Sequence, residues 1–254
     1  MKSGIYITVR LGSSRLNRKA IKEVNNNPII GYLISRIKHI CSDLGDIVIC
    51  TTNEKEDYLL DKIADDLKVA CFHGEKDNLI KRHYDCAIFH NHKFVVNVDG
   101  DDIFCNPDYV KKIIKLYNED KQYHVIKTEG LPFGTNSMGY RIEVLKKILN
   151  DNKNSKKIDT GWGEFIKNNK EIKQKVIQAH KDEIIDARLT LDYEEDFQLF
   201  KTVIENLNLH EKYVEQQEIV KYLKENQEVA DINKHLNEIY WENYHSNKKI
   251  EQGE

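Results

Sequence analysis

Apolar positions alternate between two rhythms over the first hundred residues. Short unbroken runs at 5–9, 46–51, 69–72 and 93–98 are rich in Ile, Val and aromatic residues and have the length of buried strands. Between them apolar residues recur at helical spacing. Ile29, Ile30, Leu33, Ile34, Ile37 and Ile40 form one such face, Tyr58, Leu59, Ile63 and Leu67 a second, and 79–89 a third. The order β-α-β-α-β-α-β predicts an α/β domain with a three-layer, Rossmann-like arrangement around a mainly parallel mixed sheet. Further on, Val110, Ile113, Ile114 and Tyr117 predict a helix over 109–118, and 123–127 a strand. An irregular Gly- and Pro-containing loop opens at Gly130. Residues 168–183 are Lys-rich and polar and read as a solvated helix or connector. Residues 183–192 read as the last strand, followed by an amphipathic helix from Glu194. One or two short helices are expected within 219–241, and a frayed end over 244–254. No internal repeat is visible.

Two stretches interrupt this pattern with chemistry. After the first strand, Arg10 opens a loop that contains Gly12, Ser13 and Ser14 and continues to Arg15 and Lys19. Backbone N–H groups of a small-residue loop approach a phosphate closely, and cations neutralise it. Arg supplies a planar fork of donors and Lys a point charge. A strand followed by a solvated basic turn fits the same composition. After the fourth strand, Asp99-Gly100-Asp101-Asp102 places three carboxylates close together. Hard oxygen ligands at a strand end suit Mg2+ when it also bridges substrate phosphates. Acids this close repel one another unless a cation sits among them. The ordinary alternative is a strand-terminating turn. Ligands of open α/β sheets sit beyond the carboxyl ends of the strands, where the strand order reverses, so one site can hold both stretches. Between them, residues 73–84 read as a loop and helix start, with Asp77 or Asn78 as the cap.

Composition narrows the classes. Lys plus Arg number 39 and Asp plus Glu 42, a formal charge of −3, unlike the basic balance of a nucleic-acid binder. No apolar run reaches about 18 residues, so no membrane span is expected. The first residues lack the apolar length and cleavage pattern of a signal peptide. Cys41, Cys50, Cys71, Cys86 and Cys105 are odd in number, lack CxxC spacing and mostly sit among apolar residues. Buried free thiols in a reducing, cytoplasmic compartment are the expectation. His83, His90 and His92 are scattered without partners at zinc-ligand spacing.

The motif Arg10-x-x-Ser13-x-Arg15-Leu16-x-x-Lys19 resembles the nucleotide-binding signature of the cytidylyltransferases that activate acidic sugars. The 3-deoxy-manno-octulosonate cytidylyltransferases and the spore-coat-polysaccharide nucleotidyltransferases are nearest in pattern. This chain departs from them in carrying Asn17-Arg18 where those families usually have Pro-Gly, and Thr8-Val9 before the first Arg. Gly100-Asp101 resembles their Gly-Asp core, and Arg188-Leu-Thr-Leu-Asp192-Tyr-Glu-Glu-Asp196 resembles their closing segment. Locally, Asp192 and the acids behind it read as a helix N-cap. Asp77 and Arg82 match the spore-coat family's Gly-Ser-x-x-Asp-x-Leu-x-Arg-Tyr segment, with His83 as an extra residue before Tyr84. Gly139-Tyr140-Arg141 resembles the octulosonate enzymes' Tyr/Arg strand, and Trp162 and Glu164 lie in another Gly-rich patch. The motifs cover residues 4 to about 208 in the family's order.

The resemblance implies a single nucleotidyltransferase domain over 1–254, with an insertion for substrate and dimer contact at about 128–182 and C-terminal helices and tail at 209–254. It implies a CTP-dependent enzyme that releases pyrophosphate while linking CMP to a sugar or related acidic acceptor for a surface glycan. Arg10, Lys19 and Asp101 would be catalytic. Arg10, Leu11, Gly12, Ser13, Arg15, Lys19, Asp77 and Arg82 would bind nucleotide, and Tyr140 and Arg141 the acceptor, although an exposed strand-edge Arg fits position 141 as well; Trp162 and Glu164, flanked by glycines, fit either core packing or contact with the acceptor. Asp101, Asp192 and Asp99 would hold Mg2+. A homodimer is implied, with no nucleic-acid or membrane partner. The alternatives are a nucleotide-sugar glycosyltransferase using Asp99-Gly100-Asp101 as an Asp-x-Asp metal site, and a nucleotide-binding protein without catalysis.

Overall fold

The computed structural model describes residues 2–152, 158, 163–167 and 169–242. In chain order it contains β1 (Ser3–Thr8), β2 (Glu23–Val24), β3 (Asn27–Pro28), α1 (Ile29–Cys41), β4 (Asp46–Thr52), α2 (Leu59–Leu67), β5 (Ala70–Gly74) and α3 (Leu79–His90). Then come β6 (Phe94–Asp99), α4 (Pro107–Glu119), β7 (Val125–Glu129), β8 (Met138–Arg141), α5 (Ile142–Asp151), α6 (Gly163–Lys167), β9 (Gln174–Gln178), α7 (Glu194–Asn206), α8 (Gln216–Glu225) and α9 (Gln227–Ala230).

Seven strands form one sheet in the order β5-β4-β1-β6-β8-β7-β9. Only β8 runs against its neighbours. Side chains alternate across the sheet, as strand geometry requires. Ile5, Ile7 and Val96 face the layer that contains α1 and α4, while Tyr6, Val48 and Val95 face α3 and α5. A third cluster joins Ile29 and Tyr32 of α1 to Leu199, Phe200 and Val203 of α7 and to α8 and α9. The order turns back between β1 and β6, which opens a crevice at their carboxyl ends.

Three segments differ from the sequence reading. Residues 174–178 form β9, a parallel edge strand on β7, where a connector was expected. Its half-exposed Gln-Lys-Val-Ile-Gln sequence carries little apolar signal, because an edge strand needs only one ladder. Residues 183–192, buried from Ala187 onward, belong to no strand of the sheet. Their backbone is satisfied by loops instead: Leu189 N–H donates to the Phe133 carbonyl at 2.7 Å and Leu191 N–H to the Asp101 carbonyl at 2.9 Å. Gly134, at φ +88°, lets the first loop pass; a Cβ there would lie 2.1 Å from the Leu189 oxygen. Finally, β2 and β3 form a hairpin turned by Asn25 and Asn26, at φ 50° and 59°, the left-handed pair of a type I′ turn.

Candidate active site

The crevice is floored by the loop after β1. Leu11 is fully buried, and its N–H donates to Asp57 Oδ1 at 2.7 Å. The Thr52 hydroxyl donates to the other oxygen of Asp57. This anchor leaves the flanking residues at the surface. Arg10 and Gly12 line a small depression with Thr52, Glu54, Glu56, Asp57 and Lys76. Ser13 tightens the turn: its N–H donates to the Leu11 carbonyl at 2.8 Å, and its hydroxyl accepts from Leu16 N–H at 3.4 Å. Arg18 adopts a left-handed conformation, φ 51°. That is where the resembling families place glycine, so the loop keeps a shape glycine favours at a cost of about 1–2 kcal/mol.

The loop then delivers its last cations to two acids. Lys19 Nζ donates to Asp101 Oδ2 at 2.7 Å and to Asp192 Oδ1 at 2.9 Å, and Arg15 donates to the same Asp192 oxygen at 2.6 Å. The Leu191–Asp101 backbone bond is what sets the two acids side by side. Burial pushes the Lys19 ammonium down, but the two carboxylates outweigh it and hold it above its ordinary value. Gly100 brings the acidic turn against the loop. Its N–H donates to the Thr8 carbonyl at 2.8 Å, and a Cβ there would lie 2.7 Å from Val9 Cβ and 3.0 Å from the Thr8 oxygen. Gly100→Ala is therefore expected to lower stability by about 1–3 kcal/mol in urea unfolding.

Behind Asp192 stands a bracket that sequence motifs show only as a string of letters. Arg188, fully buried, donates to Asp192 Oδ2 at 3.0 Å and to Asp196 Oδ1 at 2.9 Å. Asp196 Oδ2 accepts the N–H groups of Asp192 at 2.7 Å and Tyr193 at 2.9 Å. Thus Tyr193 is the N-cap of α7, Asp196 at N3 takes its N–H in a capping box, and the Asp192 carboxylate is left to face the cations. Asn233 donates to Asp196 Oδ1 and to the Arg188 carbonyl, tying in the C-terminal layer. Phe133 and Tyr240 lie over the Arg188 guanidinium, at 5.4 and 5.1 Å. Burial, with Asp192 and Asp101 nearby, pushes the Tyr240 hydroxyl up to about 12. Nothing in the sequence marks Phe133, Asn233 or Tyr240, which no motif spacing links.

Asp99 is held from below by a directional chain. As a carboxylate it only accepts, so the Asn97 amide must donate to it, at 2.9 Å. Asn97 Oδ1 then accepts from Thr8, at 2.5 Å, and the Thr8 oxygen accepts from His83 Nε2–H, at 2.9 Å. His83 Nδ1 therefore accepts from the Tyr140 hydroxyl, at 2.5 Å. Burial, aided by Arg82, pushes the His83 imidazole down to about 3, which keeps it neutral. Asp102 is buried beside Asp101 and Asp99; burial first and their charges second push it well above the ordinary carboxylate range.

The structure thus brings Arg15, Lys19, Asp101 and Asp192 into direct contact and leaves other predicted residues elsewhere. Asp77 is exposed at the start of α3, where Asn78 is the cap and accepts from Lys81 N–H at 2.9 Å. Arg82 is buried, with its stem packed against the position of Gly74. Tyr140 is fully buried beneath the site and is no open acceptor contact. Arg141 lies away from the crevice. It pairs in register with Phe94 at the opposite end of β6 from Asp99, about 17 Å away along the strand. The antiparallel run of β8 carries it there. Glu164 lies on α6, half-buried, and Trp162 falls outside the described residues.

Comparison with known proteins gives the family and the fold. A family model described as Cytidylyltransferase matches residues 5–250. The uncharacterized protein MJ1063 of Methanocaldococcus jannaschii is 24% identical over 91% of this chain and 93% of its own. A 3-deoxy-manno-octulosonate cytidylyltransferase of Colwellia psychrerythraea is 22% identical over 57% of this chain and 52% of its own. Among solved structures, a cytidylyltransferase from Leptospira borgpetersenii superposes with a TM-score of 0.78 at 22% identity, covering 91% of this chain and 97% of that one. A CMP:2-keto-3-deoxy-manno-octonic acid synthetase complexed with CTP superposes at 0.63 and 12% identity, covering 82% and 100%.

Proposed function

The chain belongs to the cytidylyltransferase family, and from that premise we propose that it transfers CMP from CTP to a sugar or related acidic acceptor, with Mg2+ and with release of pyrophosphate. The observation that carries this reading is the convergence of Asp101 and Asp192 on Lys19 at the end of a basic loop. Lys19 and Arg15 hold the triphosphate and receive the developing charge of the leaving pyrophosphate, with Arg10 reaching in from the neighbouring depression. The Gly12 amide adds a donor, and Leu11 fixes the loop from below. An acceptor oxygen attacks the α-phosphate. Positioning and charge stabilisation do the work, so no protein nucleophile is required.

Enzymes of this family generally use a divalent metal. The donor set here fits a hard cation: two carboxylate oxygens already converge on one positive centre, with Asp99 nearby in sequence. Asp101 and Asp192 would hold Mg2+, with Asp99 as a further oxygen ligand. The ion supplies neutralisation of phosphate charge. Among the described residues no helix is long and apolar enough to cross a membrane. Work in the cytoplasm toward a surface glycan, as a homodimer joined through about 128–182 within a single domain, completes the proposal. Sedimentation tests the dimer.

The reaction is tested by pyrophosphate release from each of the four nucleoside triphosphates, with Mg2+ and a pool of acidic sugars and sugar phosphates. Release is expected with CTP alone and is expected to fall at least about a hundredfold in Asp101→Asn. No release with any triphosphate, together with no CTP·Mg2+ binding by calorimetry, would overturn the reading. Consumption of a UDP-sugar instead would favour a glycosyltransferase.

A further inference from the structure

We propose that Asp61, Cys71 and His73 form a second metal site, for a borderline divalent ion such as Zn2+. Cys71 and His73 are two positions apart on the edge strand β5 and so project from the same face. Asp61 reaches them from α2. Cys71 Sγ, His73 Nε2 and an Asp61 carboxylate oxygen all lie within 4.8 Å of one another. The sulfur-to-nitrogen distance is 3.6 Å. A tetrahedral zinc with sulfur at about 2.3 Å and nitrogen at about 2.0–2.1 Å spans an edge of about 3.6 Å between the same two atoms. His73 Nε2 and Asp61 Oδ1 are 2.7 Å apart and need to open by only about half an ångström to make a second edge.

The imidazole is oriented as a metal ligand is. Its Nδ1 faces the Thr52 carbonyl at 2.9 Å, the kind of backbone acceptor that takes the second N–H of a metal-bound histidine. Its plane is fixed by Tyr58, stacked at 4.3 Å and 13°. With Nδ1–H committed to Thr52, the Nε2 lone pair points at two further electron-rich atoms, a carboxylate oxygen and a sulfur. Nε2 and the Asp61 oxygen, 2.7 Å apart, need a positive centre between them, a proton or a metal ion. A dication satisfies all three ligands at once. On binding, the Cys71 thiol releases its proton to solvent, and thiolate, carboxylate and dication sum to zero charge. Three protein ligands leave one position for water.

The two sites would sort metals by chemistry. Sulfur and imidazole select a zinc-like ion, whereas the oxygen pair of Asp101 and Asp192 suits a hard one. The zinc-like site also abuts the nucleotide loop, because Thr52, whose carbonyl holds His73, also holds the Asp57 that anchors Leu11.

The test uses the full chain, stripped with chelator and titrated with Co2+. One equivalent is expected to produce a thiolate-to-cobalt charge-transfer band and the intense visible bands of four-coordinate cobalt, both displaced by Zn2+. The oxygen-only site contains no sulfur and yields no such charge-transfer band, so Asp101→Asn is expected to leave the spectrum unchanged. Cys71→Ser is expected to abolish the band, and His73→Gln to weaken Co2+ binding at least about a hundredfold. Far-ultraviolet dichroism checks that each variant is folded, and either one alone decides the matter if the other is not. Absence of the band in the native chain, or its persistence in folded Cys71→Ser, would overturn the proposal and leave an imidazolium–Asp61 ion pair beside a neutral thiol.

Discussion

Lys19→Met is expected to bind a divalent cation about tenfold more tightly than the native chain while turning over about a hundred- to a thousandfold more slowly. The opposite signs follow from one position. Lys19 Nζ sits within 2.7 Å of Asp101 and 2.9 Å of Asp192, so it competes with any metal for both carboxylates. A charge-assisted hydrogen bond of this kind is worth about 1.5–3 kcal/mol, and tenfold in affinity corresponds to about 1.4. Without Lys19 the metal meets two uncompensated acids and binds better. In the proposed reaction, however, the leaving pyrophosphate would lose the cation that receives its charge, and one lost electrostatic stabiliser typically costs about 10²–10³ in rate. Calorimetry with Mg2+ or Mn2+ measures the first change and pyrophosphate release the second. A parallel fall in both would mean that Lys19 merely holds the site together.

The largest stability loss is expected in Arg188→Met, about 3–5 kcal/mol. The guanidinium is fully buried and paired with two carboxylates that are themselves almost completely buried. Removing one member of a buried ion cluster leaves the others without compensation, and that penalty exceeds what the pair contributes over an apolar substitute. Urea unfolding at neutral pH measures it; a loss under about 1 kcal/mol would mean that Lys19, Arg15 and Asn233 suffice. The gap is expected to narrow in acid. Burial pushes Asp192 up, but the Lys19 and Arg15 cations outweigh it and hold the folded-state value below the ordinary one. Its contribution is fully present above the unfolded value, about 3.9, and is lost as the pH falls through the lower folded value. Protonated, Asp192 no longer needs Arg188.

Much of this frame was legible because the sheet's middle is buried on both faces. Strands such as β1 and β6 then read as continuous apolar runs, and the helices between them as amphipathic ones. The same logic explains the failures. The apolar run at 183–192 has the composition of a strand, yet burial alone is what its Leu189 and Leu191 report; pairing depends on which backbone lies opposite, and Phe133 and Asp101 are there. Edge strand β9 has too few apolar residues to declare itself. Within the site, Arg15, Lys19 and Asp101 stand in short motifs and could be named. Arg188 stands in the closing motif with its partners Asp192 and Asp196, but Asn233 and Tyr240 matter through neighbours brought by the fold, and no local spacing encodes that. Arg141 stands away from the crevice for a geometric reason: a motif gives a residue's strand but not which end of the sheet that strand's direction carries it to.

The bracket around Asp192 also bears on how the protein is made. Lys19 and Asp192 are 173 residues apart, and Asn233 closes on Asp196 from 37 residues further on. A chain emerging from the ribosome at about 5–20 residues per second therefore exposes its basic loop for many seconds before the second of the two acids that pair with Lys19 exists. Contacts of such long sequence separation form late, after the loop-closure entropy has been met. The centre would be among the last parts to consolidate during synthesis, and nascent chains halted before Asp192 would carry the basic loop with Asp101 but without the second acid that holds Lys19 and Arg15.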